Sequence, residues 1–167
     1  DQHSQNDSFF VEDKYKASDR TTWTAALQRD RARRRVIDVG TSAAAIANNY
    51  DYIFEQWSPR VGVTHDLSLT QQVFASLSRN FEAPIFGIAG NATNAFKAQT
   101  GTTLELGARG EAKHGQHQYG WDATYYRAYL QNEFLTSCSN ATCTTSTTTN
   151  VPQTLHQGLE LGLSDLY

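Results

Sequence analysis

The stretch that decides the fold runs from Trp57 to Pro84 and reads WSPRVGVTHDLSLTQQVFASLSRNFEAP. Apolar residues alternate with polar ones on both sides of the polar turn Leu67–Gln71, as at Val61 and Val63 before it and Leu77 after it. Apolar residues at every second position are typical of a β-strand with one apolar and one polar face. The stretch therefore predicts two antiparallel strands joined by a tight turn.

The same pattern recurs along the whole chain and predicts seven strands. They are Ser8–Lys16, Thr21–Ile37, Ser58–Asp66, Gln72–Phe81, Thr102–Ala112, Tyr119–Leu135 and Thr154–Leu163. Short connections alternate with long ones. The short ones are Ala17–Arg20, Leu67–Gln71 and Lys113–Gln118, and the long ones are Val39–Gln56, Pro84–Gly101 and Thr136–Gln153. An all-β, antiparallel up-and-down chain with this rhythm is typical of a transmembrane β-barrel, which has short periplasmic turns and long extracellular loops.

Composition excludes several classes of protein. The chain has 167 residues, a net charge of -3 and 39% hydrophobic residues, and no apolar run approaches the length of a membrane-spanning helix. A spanning β-strand needs only about 9–11 residues, half of which face lipid, so the modest hydrophobicity is compatible with a barrel. The acidic balance argues against a nucleic-acid partner.

Two other classes of protein stay open on the residues alone. A secreted β-sandwich adhesin would also show alternating strands, although loops of some 18 residues at one end disfavour it. The two architectures differ in one respect, because a sandwich buries the following residues and a barrel exposes them to lipid: Val61, Val63, Leu104, Leu106 and Leu161. An outer-membrane barrel enzyme such as a lipase would need a Ser–His pair on adjacent strands at the rim, and no nucleophile-elbow motif is present.

Six segments, taken in order, resemble a TonB-dependent outer-membrane receptor of the siderophore-receptor type. The segments are Phe10–Asp13, Trp57–Val63, Val73–Pro84, Thr103–Gly110, Trp121–Arg127 and His156–Gly162. The resemblance covers nearly the whole chain, but it matches only part of the family's architecture. Such receptors close about 22 strands around a plug domain. Residues 1–167 are therefore expected to be an internal fragment of the barrel domain, without the plug and the remaining strands.

The resemblance also implies a function. It implies active uptake of a ferric siderophore or a similar metal chelate across the outer membrane of a Gram-negative bacterium. The TonB complex would supply the energy through the plug domain. No catalytic residue, resident metal or cofactor of this fragment is implied, and the ferric siderophore would be the transported ligand.

The orientation implied by the family brings four residues near the loop end of the fourth predicted strand, where a ligand could be met. They are Arg79, Asn80, Phe81 and Phe86. Aromatic and cationic groups suit an anionic iron chelate through stacking and charge. The alternative is that Phe81 and Pro84 only pack the transition from strand to loop.

The second predicted strand carries a row of arginines that we call the arginine ladder: Arg29, Arg31, Arg33 and Arg35. Period-two alternation places it on the same face as Trp23, Ala25 and Leu27. If these three residues face lipid, the ladder lies on the outer wall among lipopolysaccharide phosphates, which guanidinium groups bind bidentately. Two alternatives remain: the ladder is an ordinary solvated strand extension, or a β-bulge turns it inward, toward the ligand.

Two short motifs complete the sequence reading. Cys138 and Cys143 close a small ring in a Thr/Ser-rich segment, which favours a disulfide and an oxidising compartment over two unpaired thiols. His114 and His117 have no carboxylate or thiol at metal-site spacing, so we expect solvated turn residues and no metal site.

Overall fold

The structure is a computed structural model that describes residues 1–43, 46, 49–85, 90–91, 94–138, 140, 142–144 and 146–167. Its strands are β1 (Gln2–Lys16), β2 (Thr21–Val36), β3 (Tyr50–Asp66), β4 (Gln71–Glu82), β5 (Gly90–Asn91), β6 (Asn94–Ala95), β7 (Gln99–His114), β8 (His117–Cys138) and β9 (Ser146–Leu166). Seven of them form one antiparallel sheet in the order β1-β2-β3-β4-β7-β8-β9, and β5 and β6 form a separate small hairpin.

Every long strand pairs with its neighbour in the chain, so the sheet is an up-and-down meander. This confirms the predicted fold class and shows that the β-sandwich alternative is wrong, because a sandwich needs a second packed sheet. The described sheet is open, with β1 and β9 as its edges. Among the described residues, no helix is long and apolar enough to cross a membrane.

The register gives the sheet two chemically different faces. Val61 lies opposite Leu77, and Leu77 lies opposite Leu104, so apolar residues line up from strand to strand. We call this side the apolar face; its members include Trp23, Leu27, Val61, Val63, Leu77, Leu104, Leu106, Tyr125, Leu159 and Leu161. The other side is the polar face, which carries Glu12, Arg60, Ser76, Glu105, Arg109, Asp122 and Glu160.

The apolar face is uncovered. Leu106 keeps 46% of its surface exposed and Leu161 keeps 71%. A soluble domain would bury this many aligned apolar side chains, whereas a barrel strand presents them to lipid and turns its polar residues to the lumen. The exposure therefore matches the outcome expected for a barrel wall.

Glycines make room for large side chains between neighbouring strands. A Cβ on Gly107 would lie 2.3 Å from the ring of Phe74. A Cβ on Gly158 would lie 2.9 Å from the ring of Tyr126. An aromatic ring that covers a cross-strand glycine helps to fix the register of a sheet. This explains why Phe74 interrupts an otherwise polar series in β4.

Six of the seven predicted strands are longer in the structure, and residues 99–101 and 136–138, which were predicted to lie in long connections, belong to strands. The largest extensions are at the starts of three strands. β3 begins at Tyr50 and not at Ser58, β9 begins at Ser146 and not at Thr154, and β1 begins at Gln2 and not at Ser8. The assignment of residues 50–56 and 146–153 to loops was therefore wrong. Residues 50–56 continue the pairing of β3 with β2 as far as Tyr50, which lies opposite Val36. Residues 146–153 continue the pairing of β9 with β8 as far as Ser146, which lies opposite Cys138.

The loop end of the sheet has an uneven rim. The pairing of β3 with β4 stops at Arg60–Ser78, and the pairing of β7 with β8 stops at Thr100–Gln131. Two hairpin extensions rise on either side of the shorter β4 and β7. We call them the β2–β3 wall (residues 29–36 and 50–57) and the β8–β9 wall (residues 132–138 and 146–152).

Candidate ligand-capture site and membrane-facing surface

The polar face of the β2–β3 wall carries a row of aromatic rings that we call the aromatic ladder: Tyr50, Tyr52 and Phe54. The rings of Tyr50 and Tyr52 stack with centroids 5.2 Å apart, and the ring of Phe54 follows at 6.3 Å from that of Tyr52. Burial, followed by the neighbouring Tyr52, raises the pKa of the Tyr50 hydroxyl above its usual value. Tyr50 therefore stays protonated at neutral pH and can donate a hydrogen bond.

A buried arginine lies beside the aromatic ladder. Arg34 pairs with Tyr52 in the register and is only 6% exposed. Its Nε donates to the carbonyl oxygen of Pro84 at 2.9 Å, and its Nη1 donates to Oδ1 of Asn6 at 2.8 Å. The acceptors that contact it within the described residues are neutral oxygens. We call the region formed by the aromatic ladder and Arg34 the mouth. It combines aromatic rings with a cation, a chemistry that suits a planar or anionic ligand.

The arginine ladder lies on the opposite side of the same wall. The pairing of β2 with β3 continues without interruption to Val36, so the ladder stays on the apolar face with Trp23 and Leu27, and no bulge turns it inward. The wall thus has an aromatic side and a cationic side.

Two carboxylates of β3, which the sequence analysis did not identify, pair with the four guanidinium groups. Arg33 binds Asp51 through two bonds, of 2.8 and 2.5 Å, and Arg35 lies 3.9 Å from the same carboxylate. Glu55 contacts Arg31 at 3.1 Å and Arg29 at 3.3 Å. These side chains are between 39% and 49% exposed.

Charge and stacking organise the ladder further. The hydrogen bond from Arg33 holds the pKa of Asp51 below its usual range, with further contributions from the charges of Arg33 and Arg35. The guanidinium of Arg29 lies 5.6 Å from the ring centre of Trp57. Four cations against two anions leave the surface net positive, so it can still attract phosphate.

Three of the four predicted ligand residues, Arg79, Asn80 and Phe81, follow one another in β4 and line one cleft between β3 and β4. Arg79 lies opposite Thr102 on the side of Leu77 and is thus on the apolar face. Asn80 lies on the polar face, over Gly101. Phe81 is half-buried where β3 leaves β4. Phe86 lies outside the described residues. Arg79 and Asn80 thus lie on opposite faces of β4, because one step along a strand reverses the face.

The β8–β9 wall has a different chemistry. Its tip is closed by a disulfide between Cys138 and Cys143. Lower down, Glu133 accepts hydrogen bonds from Thr154 and from the ring of His156, and these bonds hold the pKa of the carboxyl below its usual value. Nearer the tip, the hydroxyl groups of Thr136 and Thr148 pair at 2.8 Å.

His117, the first residue of β8, belongs to a side-chain cluster at the opposite end of the sheet. Nδ1 of His117 lies 2.9 Å from the carboxylate of Asp165, and its ring lies against Tyr119 and Tyr167. Throughout the described part of the chain, no group of three or more His, Cys, Asp or Glu side chains is placed to hold a metal ion.

The sequence analysis missed the residues that form the mouth: Arg34, Tyr50, Tyr52 and Phe54. A usable signal was present for the last three, since their positions alternate with Asp51, Ile53 and Glu55. Arg34 gave no such signal, because it stands between two members of the arginine ladder and is distinguished only by its contact with Pro84, 50 residues away.

An open antiparallel meander with a lipid-compatible face, a polar face and extended hairpins at one end defines a piece of an outer-membrane β-barrel wall. The family model for the TonB dependent receptor-like β-barrel matches residues 1–166, and the chain belongs to this family.

Solved structures of similar fold support the same assignment of fold. The copper transporter OprC superposes with a TM-score of 0.76 at 24% identity, over 98% of this chain and 26% of that chain. The Serratia marcescens hemophore receptor HasR superposes with a TM-score of 0.75 at 13% identity, over 98% of this chain and 32% of that chain. The Pseudomonas aeruginosa siderophore receptor PirA superposes with a TM-score of 0.64 at 19% identity, over 95% of this chain and 30% of that chain. This chain thus spans about a quarter to a third of these receptors, and a search of curated protein sequences gives no match.

Proposed function

We propose that the protein carrying this chain is an outer-membrane receptor that actively takes up a ferric siderophore or a similar metal chelate. The TonB complex would supply the energy by acting on a plug domain outside residues 1–167. Membership of the receptor family over residues 1–166 is the observation that carries the proposal. The family consists of transport receptors, which argues against the alternative of a barrel enzyme.

The chemistry of the mouth supports a chelate as the ligand. The similar structures are a copper transporter, a hemophore receptor in complex with its hemophore and heme, and a siderophore receptor, and each of these ligands is a metal or a metal chelator. In this chain the aromatic ladder would stack on a planar chelating group. The capture site that we propose is therefore the polar face of the β2–β3 wall.

The direct test is uptake by cells that produce the complete receptor and lack their own chelate receptors. Four labelled probes would be offered: a ferric tris-catecholate, a ferric tris-hydroxamate, haem and Cu²⁺. We expect uptake of at least one probe in cells with an intact TonB complex and none above background in cells without it. Uptake that is equal with and without TonB, or no uptake of any probe, would contradict the proposal.

We further propose that the arginine ladder contacts lipopolysaccharide phosphates. Its position on the apolar face, above Trp23 and Leu27, supports this partner, as does its excess of cations over carboxylates. Reversing the charge of Arg31 and Arg33 to glutamate should lower the lipopolysaccharide that co-purifies with the receptor. The matched control, Lys113→Glu, lies at the other end of the sheet and should leave the amount unchanged. An equal amount of lipopolysaccharide in all three proteins would exclude the contact.

A further inference from the structure

The connection between β4 and β7 is held at its first end by Arg34. The chain leaves β4 at Glu82, passes the position where β3 has separated, and brings Pro84 against the polar face of β2. Pro84 is almost fully buried there. The guanidinium of Arg34 donates to the Pro84 carbonyl and is itself held by Asn6 and by backbone oxygens of Gln5 and Arg33.

The same connection is held at its other end by Asn150 of β9. The side-chain amide of Asn150 accepts from the backbone nitrogen of Lys97 at 2.9 Å and donates to the Lys97 carbonyl at 3.1 Å. It also donates to the backbone oxygen of Asn132 at 2.7 Å. Asn150 thus replaces a strand partner for Lys97, just before β7 begins at Gln99.

The two contacts are related by position in the sheet. Arg34 belongs to the strand two places before β4, and Asn150 belongs to the strand two places after β7. Each side chain reaches past one intervening strand to the connection in the middle. The connection is therefore tied at both described ends to the two walls that rise beside it.

We propose that Arg34 and Asn150 are positioning residues that fasten the β4–β7 connection between the two walls and so set the shape of the ligand-capture mouth. This rests on the proposed function for its consequence in ligand binding, but the fastening itself can be measured without a ligand. A connection held at both ends gives up less conformational freedom when a chelate binds, which strengthens binding.

The mechanism predicts what each loss should do. Removing the guanidinium of Arg34 leaves the carbonyl of the buried Pro84 without its donor, which is costly in a site that excludes water. Removing the amide of Asn150 frees both backbone groups of Lys97. In each case the connection should open locally while the rest of the sheet keeps its pairing.

The test uses the complete receptor with the substitutions Arg34→Met and Asn150→Leu. Arg20→Met is the control for the first, since it removes an arginine from the β1–β2 turn at the other end of the sheet, and Gln153→Leu is the control for the second. Hydrogen exchange without ligand should become about tenfold faster in residues 82–85 for Arg34→Met and in residues 96–99 for Asn150→Leu. The controls should match the unmodified receptor, and Arg34→Lys, which can still donate to Pro84, should be intermediate.

Binding and uptake are then measured with whichever of the four probes binds the unmodified receptor most tightly. We expect both variants to raise the Kd about fivefold or more, with an unchanged maximal rate of uptake. Exchange that is unchanged in both variants would overturn the fastening. Faster exchange with an unchanged Kd would overturn the role in ligand binding. Faster exchange in a receptor that binds none of the probes would support the fastening and contradict the proposed function instead.

Discussion

The two walls at the loop end of the sheet are built from opposite kinds of residue. The β2–β3 wall carries ion pairs on one side, such as Arg33–Asp51, and stacked rings on the other, such as Tyr50–Tyr52. In the β8–β9 wall the hydroxyl groups of Thr136 and Thr148 pair across the two strands, and a disulfide closes the tip. Both are extensions of antiparallel strands beyond the apolar part of the sheet.

The difference indicates that the two walls have different roles. A surface that presents rings, a buried cation and exposed arginines offers contacts to an outside partner on both of its faces. A surface of threonines offers fewer strong contacts, and its covalent closure holds a hairpin that lacks rings and ion pairs at its tip. We therefore expect recognition to depend on the β2–β3 wall and mechanical support to come from the β8–β9 wall.

The largest effect should come from the aromatic ladder. Replacing Tyr52 by leucine keeps apolar volume but removes a stacking ring. This substitution should raise the Kd of the best-binding probe about tenfold. The matched change on the other wall, Thr148→Val, should leave the Kd within about twofold. Titration of the purified receptor with the probe measures both. An equal loss from the two substitutions would remove the functional distinction between the walls.

An intermediate effect should come from the disulfide. Replacing both Cys138 and Cys143 by serine removes a constraint on a ring of only six residues, and a disulfide stabilises less when the loop that it closes is short. Hydrogen exchange should rise in residues 146–150 and stay unchanged in residues 50–57 and 29–36. Faster exchange in the β2–β3 wall as well would show that the two walls are coupled.

The smallest effect should come from low pH on the arginine ladder. The pKa of Asp51 is lowered in the folded protein, so its bond to Arg33 stabilises the wall above the unfolded-state pKa of about 3.9 and is lost as the pH falls through the lower, folded-state pKa. Exchange in residues 29–36, corrected for its intrinsic pH dependence, should therefore rise below about pH 4. In Asp51→Asn the rise should be absent, because the group that titrates has been removed. A rise of the same size in that variant would assign the effect to another group.

Most of the fold was predictable from alternation because the two environments of a barrel wall repeat at every second residue. Val61, Leu106 and Leu161 lie where their spacing placed them, on one continuous exposed face. The strand ends were less predictable. Tyr50 and Tyr52 belong to a segment in which aromatic residues alternate with Asp51, Ile53 and Glu55, so it lacks the simple contrast of apolar against polar.

The candidate site was less accessible to sequence reasoning than the fold. The face of Arg79 is an exception, because Arg79 lies two residues after Leu77 in the same strand and alternation alone places both on one face. The contacts of Arg34 with Pro84 and of Asn150 with Lys97 join residues about 50 positions apart. Such contacts follow from where neighbouring strands stop pairing, which no local pattern records.

The central claim is that this chain is a wall with one face to lipid and one to the lumen, and two adjacent positions of β7 test it most directly. Single cysteines at Leu106 and at Glu105 in the complete receptor would each carry a bimane label, and the receptor would be placed in bilayers of brominated lipid. The account predicts strong quenching at position 106, on the apolar face, and little at position 105, on the polar face. Equal quenching at the two positions, or stronger quenching at 105, would contradict it.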